Sequence, residues 1–456
     1  MDTFKLTRTA ATLVAALSMT FGVQQSSAEN PFVQTWFTSD PAPMADGDRL
    51  YVYTGHDEDG ADFFWMQEWR VYSTTDMVNW TDHGSPLALE SFTWADDRAW
   101  ASQTIKRNGK YYWYICAHSK ISGGMAIGVA VSKTPYGPFV DAIGKPLYET
   151  GSWDFIDPTV FIDNDGQAYL YWGNPRLYYC KLNEDMISYS GEVGQLDINT
   201  TDQDRYTEGP WIDHYGDKYY MIYAAGGVPE HIAYSESDTP LGPWTYKGTI
   251  MPEGGTQSFT NHSGVIDFKG HSYFFYHTGK LPGGGGFGRS VAVEEYKRNA
   301  DGSFPIINPT DAGVEPIGTL NPYQRVEAET MSFSKGLHSQ QTAKTGVYIS
   351  DTHNGDYIKV SNVDFGQKGA TAFSVSAASA LRGGTVQIYL DKMPGVRDRS
   401  TKPAATLEIT GTGGWEKFKK FTTKIEEPIT GVHNVYFLFQ GRKGPELFSL
   451  DYWIFK

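Results

Sequence analysis

Five times along this chain, a turn built on Gly or Asp is followed by an aromatic-rich run that reads as an alternating strand. The copies are DRLYVYTG from Asp48, GKYYWYICAH from Gly109, GQAYLYWG from Gly166, DKYYMIYAAG from Asp217 and GHSYFFYHTG from Gly270. They recur every roughly 50–60 residues, which suits one four-stranded propeller blade with its loops. A second element repeats between them: STTDMVNW from Ser73, SKTPYGPF from Ser132 and SESDTPLGPW from Ser235. Each ends on an aromatic after a turn, as the outer strand of a blade would. Two elements recurring in step predict a five-bladed β-propeller. An aromatic content of 15 %, 49 glycines and the scarcity of helix-type periodicity agree with an all-β chain.

The repeat stops near Pro305. The segment NADGSFPIINPTDAGVEPIG is turn-rich but is no Gly/Ser tether, so whatever follows is expected to pack close. From Tyr323 new alternating strands begin, among them DYIKVSNVDF, TVQIYLD, HNVYFLFQG and FSLDYWIF. They predict a β-sandwich of jelly-roll type. At the other end, Lys5 and Arg8 precede an apolar run from about Ala10 to Val23. Ser26 and Ala28 then stand at −3 and −1 of a cleavage site. The run is too short to span a bilayer. The expected division is therefore a signal peptide over 1–28, a propeller over 29–320 and a sandwich over 321–456, with a secreted or periplasmic destination.

Net charge is −15, and loss of residues 1–28, which carry a net +1, leaves −16. That balance is unsuited to nucleic acid or an anionic membrane, and it is compatible with a neutral polysaccharide. Cys116 and Cys180 both lie in strand-like runs. Export would permit a disulfide, but two buried thiols are the simpler expectation. The chain has no zinc-type Cys/His cluster.

Counting back from the tyrosine of each aromatic run aligns a second set of residues. Eleven before Tyr51 is Asp40, eleven before Tyr112 is Ala101, and twelve before Tyr169 is Asp157. Eleven before Tyr219 is Glu208 and eleven before Tyr273 is His262. If these positions are equivalent, they start the innermost strands and share one rim of the central channel. Asp40 and Asp157 each precede a proline, and Glu208 precedes Gly209-Pro210. Proline fixes φ and removes an N–H, which suits the start of a strand, though Asp-Pro is also common turn chemistry. Three converging carboxylates without a nucleophile motif suit glycoside hydrolysis. One acid protonates the leaving oxygen, and one carboxylate activates water on the opposite face. A third raises the pKa of the acid by its charge. In an inverting enzyme the acid and base stand about 6.5–9.5 Å apart.

The motifs FTSDPAPM, WDFIDPTVFID, YTEGPWI and FTNHSGVIDF resemble glycoside hydrolase family 43 over the whole propeller. The resemblance implies inversion, with Asp40 as general base, Asp157 as pKa modulator and Glu208 as general acid. It implies that His262 helps to hold a channel ion, often calcium, where a hydrogen-bonded core histidine is the alternative. Asn261 of the same motif is a sugar-contact candidate. Trp100 of RAWAS resembles the Trp of the family's Trp-Ala-Pro motif, with Ser102 in place of the proline. It either stacks on sugar or packs. Arg289 matches an arginine that points into the family's pocket. From RVEAETM, HNGDYIKVSNVDFG, TGGWEKF and FSLDYWIF, the C-terminal part resembles a family 6 carbohydrate-binding module. That implies a structural calcium on Glu327, Glu329 and Asp451, and stacking aromatics at Trp415 and Tyr348. Ser449 stands where an Asn is usual, which puts the usual sugar cleft in question.

The run FTSDPAPMADGDRLYVYTGHDED with its appended module looks most like arabinoxylan arabinofuranohydrolases and α-L-arabinofuranosidases. The expected activity is removal of arabinose side chains from arabinoxylan in plant cell walls. A β-xylosidase is the rival on the same fold, and a non-catalytic carbohydrate-binding protein is the rival of another class. A retaining, fructan-cleaving enzyme would start its first blade with Asn-Asp-Pro. Here Ser39 precedes Asp40.

Overall fold

Each aromatic run pairs with the segments on either side of it, so each repeat becomes one antiparallel sheet. The computed structural model describes residues 29–395 and 400–456. The expected signal peptide, 1–28, lies outside the described residues. The first sheet orders Thr38–Asp46, Arg49–His56, Glu68–Thr74 and Trp80–Asp82. The aromatic runs are the second strands of all five sheets: Arg49–His56, Lys110–Ser119, Ala168–Trp172, Lys218–Ala225 and His271–Thr278. Four of the hairpins that lead into them turn on two residues, such as Asn108-Gly109, with φ of +52° and +73°. Positive φ at both positions matches the right-handed twist of the flanking strands. The third sheet needs residues 163–167 for the same turn. That turn is three residues longer, but the pairing between it and the tyrosine is one pair shorter, so the net count is twelve where the others have eleven.

The second strands are buried on both faces, so they do not alternate inside and outside. Leu50 and Val52 join a core with Tyr273 and Phe275 of the fifth sheet, while Tyr51 and Tyr53 join one with Trp113 and Ile115 of the second. Odd and even residues thus serve two neighbouring sheets, which is why the runs are rich in large apolar side chains throughout. The first strands close a ring. Thr38–Asp46 touches Ser102–Arg107, then come Thr159–Ile162, Tyr206–Tyr215 and Gly264–Phe268, and the last touches Thr38–Asp46 again. This is a five-bladed β-propeller. Its fifth blade has three strands, and the N-terminal segment completes it. The Phe32 N–H donates to Val291 O at 3.0 Å, and Asn30 Nδ2 to Val293 O at 3.0 Å. The Ser73, Ser132 and Ser235 motifs form the turns from third to outer strands, as expected.

The C-terminal part is a sandwich of two sheets of jelly-roll type around one core that includes Ile358, Phe373, Phe437 and Trp453. It packs directly on the first blade. Thr330–Met331 pairs with Trp80–Asp82 and extends that sheet by one strand. Behind this seam Arg70 donates to Asp82 Oδ2 at 3.0 Å, and the Ser339 hydroxyl donates to the same oxygen at 2.6 Å. Trp36 Nε1 reaches Ser339 Oγ at 2.7 Å, and Asn79 exchanges two hydrogen bonds with Ser361. Cys116 and Cys180 are buried free thiols.

Removing one partner of a buried ion pair leaves an uncompensated charge. Asp82→Ala should therefore destabilise the full chain by about 3 kcal/mol, read as a lower urea midpoint at unchanged slope.

Candidate active site

The first strands begin at the rim with irregular backbone, and the irregularity aims the carboxylates. Asp40 sits in a bulge between the paired residues Ser39 and Ala42, at φ +51°. Asp157 has φ +59° just before Thr159–Ile162. In the fourth blade the left-handed residue is Gly209 (φ +60°), and Glu208 is the residue before it, with bulges on both sides. In all three the left-handed residue directly precedes a proline. Asp40 and Asp157 occupy that backbone position themselves, whereas Glu208 stands one residue earlier. The equivalence inferred from counting therefore holds to within one residue. A positive φ is costly for a residue with a Cβ and persists where the surroundings enforce it.

Asp40 is buried in a nest of cationic and imidazole groups. Arg289 Nη1 donates to Asp40 Oδ1 at 3.1 Å. His277 Nδ1 lies 3.3 Å and His262 Nδ1 3.9 Å from that oxygen. The Asp40 N–H also points at His277 Nδ1, at 3.3 Å, and His277 Nε2 contacts Thr260 O at 2.9 Å. A carbonyl only accepts, so Nε2 carries the imidazole proton. Arg289 is fixed from behind by Asp57, with Nε to Oδ2 at 2.9 Å and Nη2 to Oδ1 at 2.8 Å, and it lies 4.8 Å over the Phe64 ring. Burial alone would raise the Asp40 carboxyl. Arg289 outweighs that and holds it well below the usual carboxylate range.

The other two carboxyls are shifted the opposite way. Burial pushes Asp157 well up, and the neighbouring Glu208 and Asp40 add to it, although the Gly209 N–H donates to Asp157 Oδ2 at 3.0 Å. Burial also raises Glu208. Asn174 Nδ2 donates to its Oε2 at 2.5 Å and offsets part of the rise. One rim thus holds one carboxyl driven towards ionisation and two driven towards the protonated form. Neighbouring acids whose surroundings drive their pKa values apart are the arrangement that acid–base hydrolysis needs.

Residues 28–304 match Glycosyl hydrolases family 43, and residues 327–456 match Carbohydrate binding module (family 6). The chain belongs to glycosyl hydrolase family 43. It is 33% identical, over 93% of its length and 92% of the relative's, to an arabinoxylan arabinofuranohydrolase of Bacillus subtilis. The crystal structure of a family 43 arabinoxylan arabinofuranohydrolase from Bacillus subtilis in complex with cellotetraose superposes with a TM-score of 0.81. It shares 30% identity over 94% of this chain and 99% of that one. A family 43 β-xylosidase/α-arabinofuranosidase from a compost microbial metagenome, in complex with xylotriose and described as a calcium-free form, matches 62% of this chain and 98% of its own. Its TM-score is 0.57 and its identity 30%.

Other family 43 positions fall into place around the rim. Trp100 packs on Phe64 and donates from Nε1 to Phe64 O at 2.9 Å. Beside it Arg98, paired with Asp97, lies 5.3–5.8 Å from the rings of Phe63, Trp65, Trp100 and Trp153. Trp65 is 41% and Trp153 51% exposed. Asn261 does not face a sugar: its Nδ2 donates to Glu230 O at 2.7 Å and its N–H to Glu230 Oε2 at 2.7 Å. Burial lowers His262 to about 4, against the pull of Asp40, so its imidazole is neutral at pH 7. Among the described residues no group of three or more His, Cys, Asp or Glu is arranged to hold a metal ion, so neither His262 nor the module's acids form a ready cage. In the module, Arg325 bridges Glu327 (Nη2 to Oε2, 2.7 Å) and Asp451 (Nη2 to Oδ1, 3.1 Å). Glu329 is buried with an unpartnered Oε2, and burial, Glu327, Asp82 and Asp451 push its carboxyl well up. That orphan oxygen is the one feature here that fits a hard cation. Tyr348 is no platform: it is buried, donates to Gln340 Oε1 and meets Phe418 edge-on. Trp415 is part-exposed at the start of Gly414–Ile429.

Asp57, Asn174 and His277 escape the count to the first strands. They stand at or just past the ends of second strands, in TGHD, YWGN and YHTG. An antiparallel second strand returns to the rim where the first began, so those strand ends carried a usable signal.

Asp157 is raised by folding, so its ionisation opposes the folded state increasingly as pH climbs from the unfolded carboxylate range. Asp157→Asn keeps an acceptor for the Gly209 N–H and loses the charge. Its thermal midpoint should exceed that of the parent, by a margin that grows from pH 5 to pH 8, while kcat/KM drops.

Proposed function

We propose that this enzyme removes α-L-arabinofuranosyl side chains from arabinoxylan or a related hemicellulose with inversion at the anomeric carbon. The observation that carries the reading is the opposed charge state of Asp40 and Glu208 on one rim. Asp40, kept ionised by Arg289, takes a proton from water as the water attacks the anomeric carbon. Glu208, kept protonated by burial, gives its proton to the departing glycosidic oxygen. Asp157 accepts the Gly209 N–H beside Glu208 and so fixes the backbone next to the acid. The exposed faces of Trp65 and Trp153 around Arg98 offer apolar surfaces on which the sugars of the main chain can stack. The basic N-terminal segment and small-residue cleavage site support action outside the cytoplasm.

Asp40→Ala and Glu208→Ala should each lower kcat/KM on an arabinoxylan oligosaccharide by about 10²–10⁴-fold. Arabinose should be the first product, and NMR should show the inverted anomer first. Xylose as first product would assign a β-xylosidase. Unchanged rates in both variants would overturn the assignment of Asp40 and Glu208, and no hydrolysis by the parent would leave only a carbohydrate-binding protein.

For the module we propose that calcium takes up the orphan oxygen of Glu329 together with Glu327 and Asp451, displacing Arg325. The ion would supply positive charge to three acids, of which one guanidinium now bridges two. Saturating calcium should raise the thermal midpoint of the full chain by several degrees, EDTA should reverse this, and Glu329→Gln should abolish the response.

A further inference from the structure

Beside the strand that joins module to propeller, the two leave a groove open between them. Two depressions, of about 610 and 650 Å³, both take in Thr81, His83, Tyr136, Arg325 and Glu327, and so form one groove. Each volume is in the range of a small-molecule site. The groove is remote from the rim acids. Arg49 at its wall pairs with Asp46, which lies six residues on from Asp40. That is roughly 20 Å along the strand.

The exposed ring in this groove is Tyr136, 46% exposed. One face of it lies against His83, with centroids 5.0 Å apart and planes at 13°. The loop that carries it is clamped to the first blade on both sides. The Tyr53 hydroxyl donates to Pro135 O at 2.6 Å, and the Phe139 N–H donates to Pro86 O at 3.2 Å. Gly137, at φ +87°, lies so close to Pro86 that a Cβ would come within 2.5 Å of it. A ring fixed before a ligand arrives loses little freedom when one binds.

Across the groove, Asn321 and Gln324 bring exposed amides and Thr345 a hydroxyl. The charged groups are already engaged. Arg325 binds Glu327 at 2.7 Å, Arg49 donates to Ser73 Oγ at 3.0 Å, and Asp76 accepts from Asn79 Nδ2 at 2.7 Å. A flat apolar face beside neutral donors and acceptors suits an uncharged sugar ring, whose C–H face stacks and whose hydroxyls bind amides. The module's hairpin that lines this groove also carries Tyr348, whose own ring is buried. Tyr136 supplies the missing platform from the neighbouring domain.

We propose that this groove is a second carbohydrate site, built by propeller and module together, that binds the unsubstituted main chain of a neutral xylan with one sugar ring on Tyr136. Sugar bound there is too far from Asp40 to touch the linkage being cleaved. It acts by holding the polymer at high local concentration. The inference shares with the proposed function only the class of polymer.

The test uses the full chain carrying Glu208→Ala, so that the probe stays intact whichever linkage the rim cleaves. Xylohexaose is titrated by calorimetry in EDTA, which keeps Arg325 on Glu327. Adding Tyr136→Ala should weaken binding about tenfold, whereas Tyr136→Phe keeps the ring and should bind as the parent does. With Glu208 restored, Tyr136→Ala should lower kcat/KM on polymeric arabinoxylan several-fold and leave that on 4-nitrophenyl α-L-arabinofuranoside unchanged. The proposal fails if Tyr136→Ala binds xylohexaose as tightly as the parent, or if it loses activity equally on both substrates. Loss of all binding in Trp415→Ala alone would place the sugar on the module's own face instead. If Tyr136→Ala does not fold, Gln324→Ala decides: about fivefold weaker binding supports the site, and unchanged binding overturns it. A parent that releases no arabinose from arabinoxylan would sink the reading of the rim and leave the binding result standing.

Discussion

The buried guanidinium of Arg289 is the contact on which both the ring and its chemistry depend. It comes from the fifth blade and binds Asp40 and Asp57 at the two ends of the first blade's opening hairpin. It therefore ties the last blade to the first at the rim, while Asn30–Phe32 does the same along the outer face of Ser290–Tyr296. A fully desolvated cation between two carboxylates is weak evidence of net stability, because desolvation offsets the attraction. What it fixes is geometry and charge. It leaves Asp40 ionised in a site where burial by itself would protonate it.

From that fixed charge the rest of the rim follows. With Asp40 negative, every further carboxyl brought close is pushed towards its neutral form, and Asp157, Glu208 and Glu230 all are. The donors differ in number on each side. Asp40 receives a guanidinium and faces two imidazoles. Glu208 receives one amide, and Asp157 one backbone N–H. An acid and a base of similar intrinsic strength are thereby separated by surroundings, not by residue type.

Much of this was legible from repetition. The five sheets could be read because each blade repeats a tyrosine-bearing second strand, and Asp40, Asp157 and Glu208 because they sit at nearly constant offsets from it. Strict inside–outside alternation was the wrong expectation for Arg49–His56 and its counterparts. A blade's second strand has a neighbour on both faces, so both sets of residues are apolar. Glu230 was not legible. It lies in a connection, GGVPE, whose position varies from blade to blade, and only the fold carries it behind Glu208. Tyr348 and Asn261 misled for the reverse reason: their motifs fit, but their polar atoms are spent inside the protein.

The backbone at the rim shows why the carboxylates are where stability is given up. Asp40 and Asp157 hold left-handed φ directly before proline, a combination with a steric penalty of order 1–3 kcal/mol each. Desolvation of four buried carboxyls adds to it. Neither cost can relax locally, because each strained residue is pinned on its far side: Asp40 by Arg289 and Asp157 by the Gly209 N–H. The compensation has to come from elsewhere, and two features of the fold supply it. Interblade cores bury both faces of every second strand, and the module's added strand covers the outer edge of the blade that carries Asp40. The seam with the module is thus part of what holds the base in place. Arg70, which binds Asp82 and the module's Ser339 in this buried network, lies in the same sheet as the Asp40 bulge and two strands from it.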